Sequence, residues 1–525
     1  MSSQRILPSI RAGLPVQALA ETLGLRTVPG RADGSDAVSS VVLDNRRAVP
    51  GDLFAALPGA RVHGARFAAD AVARGASAVL TDDAGLAVVQ EQGLPVPVLV
   101  ASDVRAVLGA VAARVHGAPA AAMTSFGVTG TNGKTTTTFL LDHALRALGR
   151  RTGLVGTVET RFGDTVVPSR LTTPEAPELQ GWLAAMREDG VTSLAMEVSS
   201  HALSLHRVDG IVFDTVGFTN LTQDHLDFHA TFEEYFAAKL DLFTPARARR
   251  AVVTTDDAWG ARLAREATVP VATLSTLGAD ADWNVSDVVA DGTGSSFTVR
   301  GRDGRTLRTR VSLPGAFNVA NAALAATMLL ESGVSPEELA DALGASGFAA
   351  PVPGRMEVLS GAPRVVVDFA HNAEALELAL TTLRGTTPGR LVVVFGATGD
   401  RDRGKRPVMG LTAARHADVV VVTDDDPHGE DPAQVRAEVL EGARAAVADA
   451  ALSPEPTSAP VAEILEVAPR GDAIRRAVLE AAPTDTILVA GRGHETIQEV
   501  GGVELELDDR VEARAALAQR ETPGP

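Results

Sequence analysis

A chain of 525 residues is too long for one hydrophobic core and, at roughly 100–200 residues per domain, divides into about three. Its 45% hydrophobic and 22% charged content is that of a folded globular protein, and a net charge of −18 argues against a nucleic-acid or membrane-surface role, which needs a basic face. Zero cysteines exclude disulfides, thiolate metal sites and cysteine nucleophiles, and no apolar run nears the ~20 residues that cross a bilayer.

Residues 1–12 carry Arg5 and Arg11 but no long apolar stretch and no small-residue cleavage site, so no signal peptide is expected and a cytoplasmic protein is. From there to residue 119, short apolar runs at 38–43, 78–81 and 96–101 alternate with helical patterns such as 67–74, which predicts a small α/β domain. Residues 118–123 read as a linker. At Thr124 a strand, a glycine-rich turn and a helix open a larger α/β domain, with later apolar strands at 193–196 and 211–218 and a helix over 232–243. Proline and glycine at 351–354 break the pattern again. Beyond them the apolar runs 365–368, 391–395, 419–423 and 486–490 alternate with helical segments, the pattern of a doubly wound parallel sheet. Residues 445–462, rich in Ala, Pro and Ser, read as a surface insertion, and the tail after Arg520 as frayed. The expected architecture is therefore α/β in three domains, at 1–119, 120–352 and 353–525.

The strongest chemical signal is GVTGTNGKTTT at 127–137. Its glycines let the backbone N–H groups close around phosphates, Lys134 reaches the terminal phosphates, and Thr135 offers a hydroxyl to Mg²⁺. The usual phosphate-loop spacing would place glycine at Val128; here the glycines are Gly127, Gly130 and Gly133, which selects a subfamily. In LAMEVSSHALSLHR (194–207) an apolar strand delivers Glu197 at its carboxyl end, where a carboxylate holds magnesium beside phosphates. FTNLTQDHLDFH (218–229) places Asn220, Asp224, His225, Asp227 and His229 after another strand. The two histidines could be a zinc pair, but their oxygen-bearing neighbours suit magnesium better. In the last third GRME (354–357), DFAHN (368–372), GATGDRDRGKRP (396–407), TDDDPHGEDP (423–432) and AGRGHE (490–495) describe a cleft with both signs of charge. The chain holds 45 Arg but only three Lys, at 134, 239 and 405, which marks those lysines for work an arginine cannot do.

Taken in order, GTNGKTT, EVSSH, TNL.DHLD.H, GRME, GDRD.GKRP and G.GHE resemble the Mur ligase family, in its MurE type, from about Leu43 to Arg510. The resemblance implies an N-terminal UDP-sugar domain, a central P-loop ATPase-like domain and a C-terminal Rossmann-like domain. It implies an ADP-forming ligase of peptidoglycan synthesis, expected to be a monomer, that uses ATP to join a diamino acid to UDP-N-acetylmuramoyl-L-alanyl-D-glutamate. ATP would lie on Gly130, Thr131, Asn132, Gly133, Lys134, Thr135 and Thr136, with Asn318, Arg355 and His371 as further contacts. Leu43, Asn45 (where the family has serine), Ala60, Arg61 and Val62 would hold the uridine end, and Thr172, Thr173, Ser199 and Arg207 the muramoyl dipeptide. Lys134, Glu197, His225 and Lys239 would be catalytic. Magnesium would sit on Thr135, Glu197, His225 and a carbamylated Lys239. For the amino acid the resemblance offers Arg401, Asp425, Asp426, Pro427, His428, Gly491 and Glu495. Family members that use meso-diaminopimelate carry DNPR where this chain has Asp425-Asp426-Pro427-His428. The missing arginine points to L-lysine or a shorter diamine, with meso-diaminopimelate as the alternative. A relative acting on folylpolyglutamate or cyanophycin is a rival reading that the DNR…PGDLFAAL element opposes. A non-catalytic nucleotide-binding protein is another, which the intact Lys134, Glu197, His225 and Lys239 oppose.

Overall fold

The structure, a computed structural model, describes residues 5–30, 36–225, 228–452 and 462–521. Three sheets organise it, one in each third of the chain. The first has five strands in the order Arg26–Val28, Val98–Val100, Ala78–Thr81, Asp52–Ala55, Ser40–Val42, all pairs parallel except the first. Every residue of the last four strands is buried, as parallel strands covered on both faces must be. Residues 60–62 stand out from this domain as an exposed loop.

The second sheet has eleven strands. Seven parallel strands form its centre, in the order Thr152–Val155, Ser193–Glu197, Thr124–Thr129, Thr215–Phe218, Ala251–Thr254, Val271–Ser275 and Trp283–Ala290. Antiparallel strands extend both edges. One face packs the helices Lys134–Ala147 and Ala316–Glu331 through Phe126, Val128, Leu140 and Leu329. The opposite face packs Ala176–Glu188 and Phe232–Leu240 through Met196, Leu183, Val216 and Phe236.

The third sheet runs Glu357–Gly361, Arg364–Asp368, Thr486–Ala490, Leu391–Phe395, Val419–Val422, Glu463–Glu466, parallel throughout except at its first pair. Central strands Thr486–Ala490 and Leu391–Phe395 are wholly buried. Their carboxyl ends, with that of Arg364–Asp368, open onto the second domain, where ligands of open α/β sheets bind.

Three expectations change. The strand expected from residue 211 begins at Thr215, because Val212 is exposed and only Phe213, bridged to Ala248, pairs before it. The linker at 118–123 is a short helical turn, Pro119–Ala122. The supposed insertion from residue 445 begins inside the helix Pro432–Leu452, whose alanines are helix formers rather than low complexity; residues 453–461 lie outside those described. Among the described residues no helix is long and apolar enough to cross a membrane.

Candidate active site

The turn after Thr124–Thr129 is shaped by two glycines. Gly130 has φ 146° and a Cβ there would overlap Thr219 Oγ1; Gly133 has φ 89° and a Cβ there would lie 2.3 Å from Asn321 Oδ1. No other residue fits both the conformation and the space. The helix Lys134–Ala147 starts directly after Gly133 with no side-chain cap, so its first N–H groups and the positive end of its dipole face a cavity of about 320 Å³.

Lys134, Glu197 and His225 line it, and Lys239 reaches the same loop at the Gly130 carbonyl. Lys134 Nζ donates to the carbonyls of Gly130 at 2.9 Å and Thr131 at 2.8 Å. Lys239, 1% exposed, donates from Nζ to the same Gly130 carbonyl at 2.8 Å and stands 4.4 Å from the Tyr235 ring centre. Burial, reinforced by Lys134, pushes the Lys239 amine well below its ordinary range; burial also lowers Lys134. Glu197, fully buried, accepts from Thr135 Oγ1 at 3.0 Å, from Thr157 Oγ1 at 2.9 Å and from Thr157 N at 2.7 Å. His225, at φ 55°, faces Asp224 at 3.7 Å, and burial drives its imidazole down to about 3, so it is neutral. Asp227, expected in this cluster, lies outside the described residues.

The third domain closes over the loop. Arg355 donates from Nη2 to Thr135 Oγ1 at 3.4 Å, with its guanidinium 4.1 Å from the Phe369 ring centre. Asn132 donates to Glu374 at 2.9 Å and accepts from Asn372 at 3.2 Å, and His371 Nε2 lies 3.5 Å from Asp224 Oδ2. Asn318, 2% exposed, lines the same cavity, its side chain tied to Pro314 O and Asn321. Thr131 and Thr136 also line it.

Beside Glu197, Thr173 Oγ1 donates to the Glu197 carbonyl at 2.9 Å and accepts from Ser199 N at 3.1 Å. Thr172 Oγ1 lies 3.1 Å from Thr157 Oγ1. Arg207 donates to Thr173 O at 3.2 Å and pairs with Glu175 at 2.9 Å, while Ser199 caps the helix Ser200–Ser204. The expected dipeptide contacts are thus contiguous with the phosphate side. Leu43 packs on the first domain's core, and Asn45 donates to Asp70 at 2.6 Å.

On the third domain, Asp425, Asp426 and Glu495 hold carboxylate oxygens within 4.8 Å of one another. They surround Arg492, 0% exposed, whose Nη1 lies 2.7 Å from Asp426, 3.8 Å from Asp425 and 3.7 Å from Glu495. Burial, then Asp425, pushes Glu495 up to about 8; burial raises Asp426 as well. Gly491, φ 111°, lets the loop pass 2.6 Å from Asp425 Oδ2, measured from where a Cβ would be. His428 turns away to pair with Glu499 at 3.0 Å, Pro427 accepts from Glu430 N at 2.9 Å, and Arg401 is exposed on its loop. The sequence reading missed Arg492, Thr157, Asn321 and Glu374. Arg492 stood inside AGRGHE, whereas nothing around Thr157 marked it.

An open phosphate-binding helix end, a buried carboxylate on a threonine hydroxyl and a second α/β domain closing over both define an ATP-dependent, ADP-forming amino-acid ligase. Family profiles agree along the chain: the Mur ligase family catalytic domain matches residues 37–116, the Mur ligase middle domain 128–329 and the Mur ligase glutamate ligase domain 354–493. A UDP-N-acetylmuramoyl-L-alanyl-D-glutamate--2,6-diaminopimelate ligase of Corynebacterium glutamicum is 48% identical over 94% of each chain. A UDP-N-acetylmuramyl-tripeptide synthetase of Leifsonia xyli subsp. xyli is 47% identical over 96% of each. A solved structure of a UDP-N-acetylmuramoyl-L-alanyl-D-glutamate--2,6-diaminopimelate ligase superposes with TM-score 0.62 at 30% identity, over 93% of this chain and 96% of that one. The chain belongs to the Mur ligase family, and within it to the MurE type. The expectation of L-lysine gains nothing from these names, two of which specify 2,6-diaminopimelate and none lysine.

Proposed function

We propose that the chain is a cytoplasmic ligase that adds the third residue of the bacterial cell-wall peptide stem, joining a diamino acid to the D-glutamyl γ-carboxylate of UDP-N-acetylmuramoyl-L-alanyl-D-glutamate. The observation that carries this reading is the meeting of Lys134, Lys239, Glu197 and Thr135 at an uncapped helix start, with Arg355 reaching in from the third domain. A γ-carboxylate oxygen attacks the γ-phosphorus of ATP, the bond to the β-phosphate oxygen breaks, and ADP leaves. The incoming amine then attacks the acyl carbon, and the tetrahedral intermediate collapses with release of phosphate. Lys134 and Arg355 offset the charge of the gathered anions, and the closed joint keeps water from the acyl phosphate.

The donor set fits magnesium: hydroxyl and carboxylate oxygens of Thr135 and Glu197 stand 3.0 Å apart, with a neutral His225 in the same cavity. Bound there, Mg²⁺ would neutralise phosphate charge. Lys239 joins this set as a carbamate: burial disfavours the charged ammonium, and the free amine attacks CO₂, loses a proton to solvent and becomes a carboxylate.

The relatives' names put 2,6-diaminopimelate first as the added acid. A second reading, a diamino acid ending in a bare ammonium such as L-lysine, is favoured by three carboxylates around one arginine and by a His428 already paired to Glu499. Phosphate release on the UDP-dipeptide, with diaminopimelate, lysine and ornithine offered singly, tests both. No release with any of them sinks the ligase assignment.

A further inference from the structure

His494 stands in the joint between the second and third domains, on the loop that follows the strand Thr486–Ala490. Its Nε2 donates to the Thr157 carbonyl at 3.3 Å, across 337 residues of sequence. Thr157 in turn gives its N–H and its hydroxyl to Glu197 and lies 3.1 Å from Thr172 Oγ1. The imidazole also packs on Phe369, ring centres 5.4 Å apart, and Phe369 carries the guanidinium of Arg355, which bonds Thr135. Two short chains therefore run from one ring to the two groups, Glu197 and Thr135, that face the phosphates.

The ring is held from behind. Gly354 touches the peptide of Gly493 and His494 so closely that a Cβ on Gly354 would lie 2.2 Å from both Gly493 C and His494 N. Arg510 donates to the His494 carbonyl at 3.2 Å. Burial keeps the imidazole neutral, down at about 3. With its proton on Nε2, the ring leaves Nδ1 buried without a hydrogen-bond partner among the described residues. Such an unpaired acceptor costs about 1–3 kcal/mol, which a purely space-filling apolar ring would avoid.

On the other side of His494 in the chain is Glu495, one of the three carboxylates facing Arg492. We infer that His494 is a positioning residue that transmits occupancy of the amino-acid side, through the Gly491–Glu495 loop, to Glu197 and Thr135 on the phosphate side. The 3.3 Å contact to Thr157 is at the long end for an N–H···O bond, so a shift of a few tenths of an ångström in the loop decides whether it tightens. The chemistry gives this a purpose: an acyl phosphate formed before an amine is in place is lost to water. The inference rests on the ligase reading above.

The experiment compares phosphate release from ATP and UDP-N-acetylmuramoyl-L-alanyl-D-glutamate with and without amino acid, in separate arms for diaminopimelate and lysine. His494→Phe keeps a ring against Phe369 and removes the donor to Thr157. Its stimulation by amino acid should fall about tenfold, while calorimetric affinity for the UDP-dipeptide stays within about twofold of wild type. His494→Gln, which can place an amide N–H near the lost Nε2, should recover most of the stimulation. If His494→Phe proves misfolded and loses UDP-dipeptide binding, the glutamine variant decides: stimulation retained supports the inference, stimulation lost with binding intact overturns it. An active wild type beside an equally stimulated His494→Phe overturns the inference alone. A wild type that no amino acid stimulates overturns the ligase reading and this inference with it.

Discussion

The phosphate side and the amino-acid side of the cleft are built as opposites. On the first, Lys134 and Arg355 stand beside Glu197 at an uncapped helix start; on the second, Asp425, Asp426 and Glu495 gather around the guanidinium of Arg492. The first offers cations and a helix end to phosphates, the second carboxyl groups to an amine. In a chain of net charge −18 the phosphate side is the exception, and its positive potential is made locally, by a helix end and a few side chains.

The sharpest way to break this comparison is to remove the cation at the helix start. Lys134→Ala should lower turnover roughly a thousandfold. Calorimetric affinity for the UDP-dipeptide should stay within about twofold, because uridine contacts belong to another domain. Comparable loss of both would mean that the first-domain contacts do not hold the uridine end independently of the phosphate loop. Next in size is Lys239. Lys239→Ala should lose about a hundredfold in kcat and regain part of it with added formate or acetate, whereas Lys239→Arg, which cannot form a carbamate, stays inactive. An active arginine variant would show that a positive charge, not a carboxylate, is what the position supplies.

How legible each side was in the sequence follows the same division. The phosphate loop was readable because its geometry is local: Gly130 and Gly133 hold the positive φ angles, and Lys134 and Thr135 follow at once. Lys239 stood out because so few lysines remain in an arginine-rich chain. The alternation of apolar runs also gave the three sheets nearly residue for residue at Ala78–Thr81, Leu391–Phe395 and Thr486–Ala490, where full burial leaves no charged residue to blur the strand. The amino-acid side was harder, because it is made by sheet order: Leu391–Phe395 lies between Thr486–Ala490 and Val419–Val422, and that order brings residue 495 to residues 425 and 426. Nothing local says that Arg492 is the buried counter-charge, or that His428 bends at φ 50° toward Glu499. Thr157 is similar: its role is set by Glu197, forty residues away.

A smaller effect sharpens the comparison at its distal end. If His428 is what separates this cleft from one that accepts a second carboxylate, His428→Arg should shift the kcat/KM ratio toward diaminopimelate over lysine by about tenfold, or ~1.4 kcal/mol. The wild-type ratio itself decides between the two amino acids proposed. An unchanged ratio in the variant would place selectivity elsewhere, with Arg492 and its three carboxylates as the next group to alter.

The smallest effect is one of stability, and its sign is fixed by Glu495. Burial and the neighbouring Asp425 raise this carboxyl from an ordinary 4.5 to about 8 in the folded chain. Below pH 4.5 both folded and unfolded chains hold the proton and the residue costs nothing. Between 4.5 and about 8 the unfolded chain has released its proton while the folded chain keeps it, so stability falls as pH rises, and the full cost is present above that window. The side chain is still 36% exposed, and water screening reduces the cost to about 1 kcal/mol, or ~2–4 °C in Tm. Glu495→Gln should therefore melt with wild type at pH 5 and a few degrees above it at pH 8.5. A difference independent of pH would mean that packing, not charge, sets the cost. The same substitution should weaken ligation at pH 8.5, where it removes an ionised carboxylate from the side of the cleft that receives the amine. A variant that gains stability only where Glu495 would be ionised, and loses ligase activity, would show that the crowded carboxylates are kept for the ligand at the fold's expense.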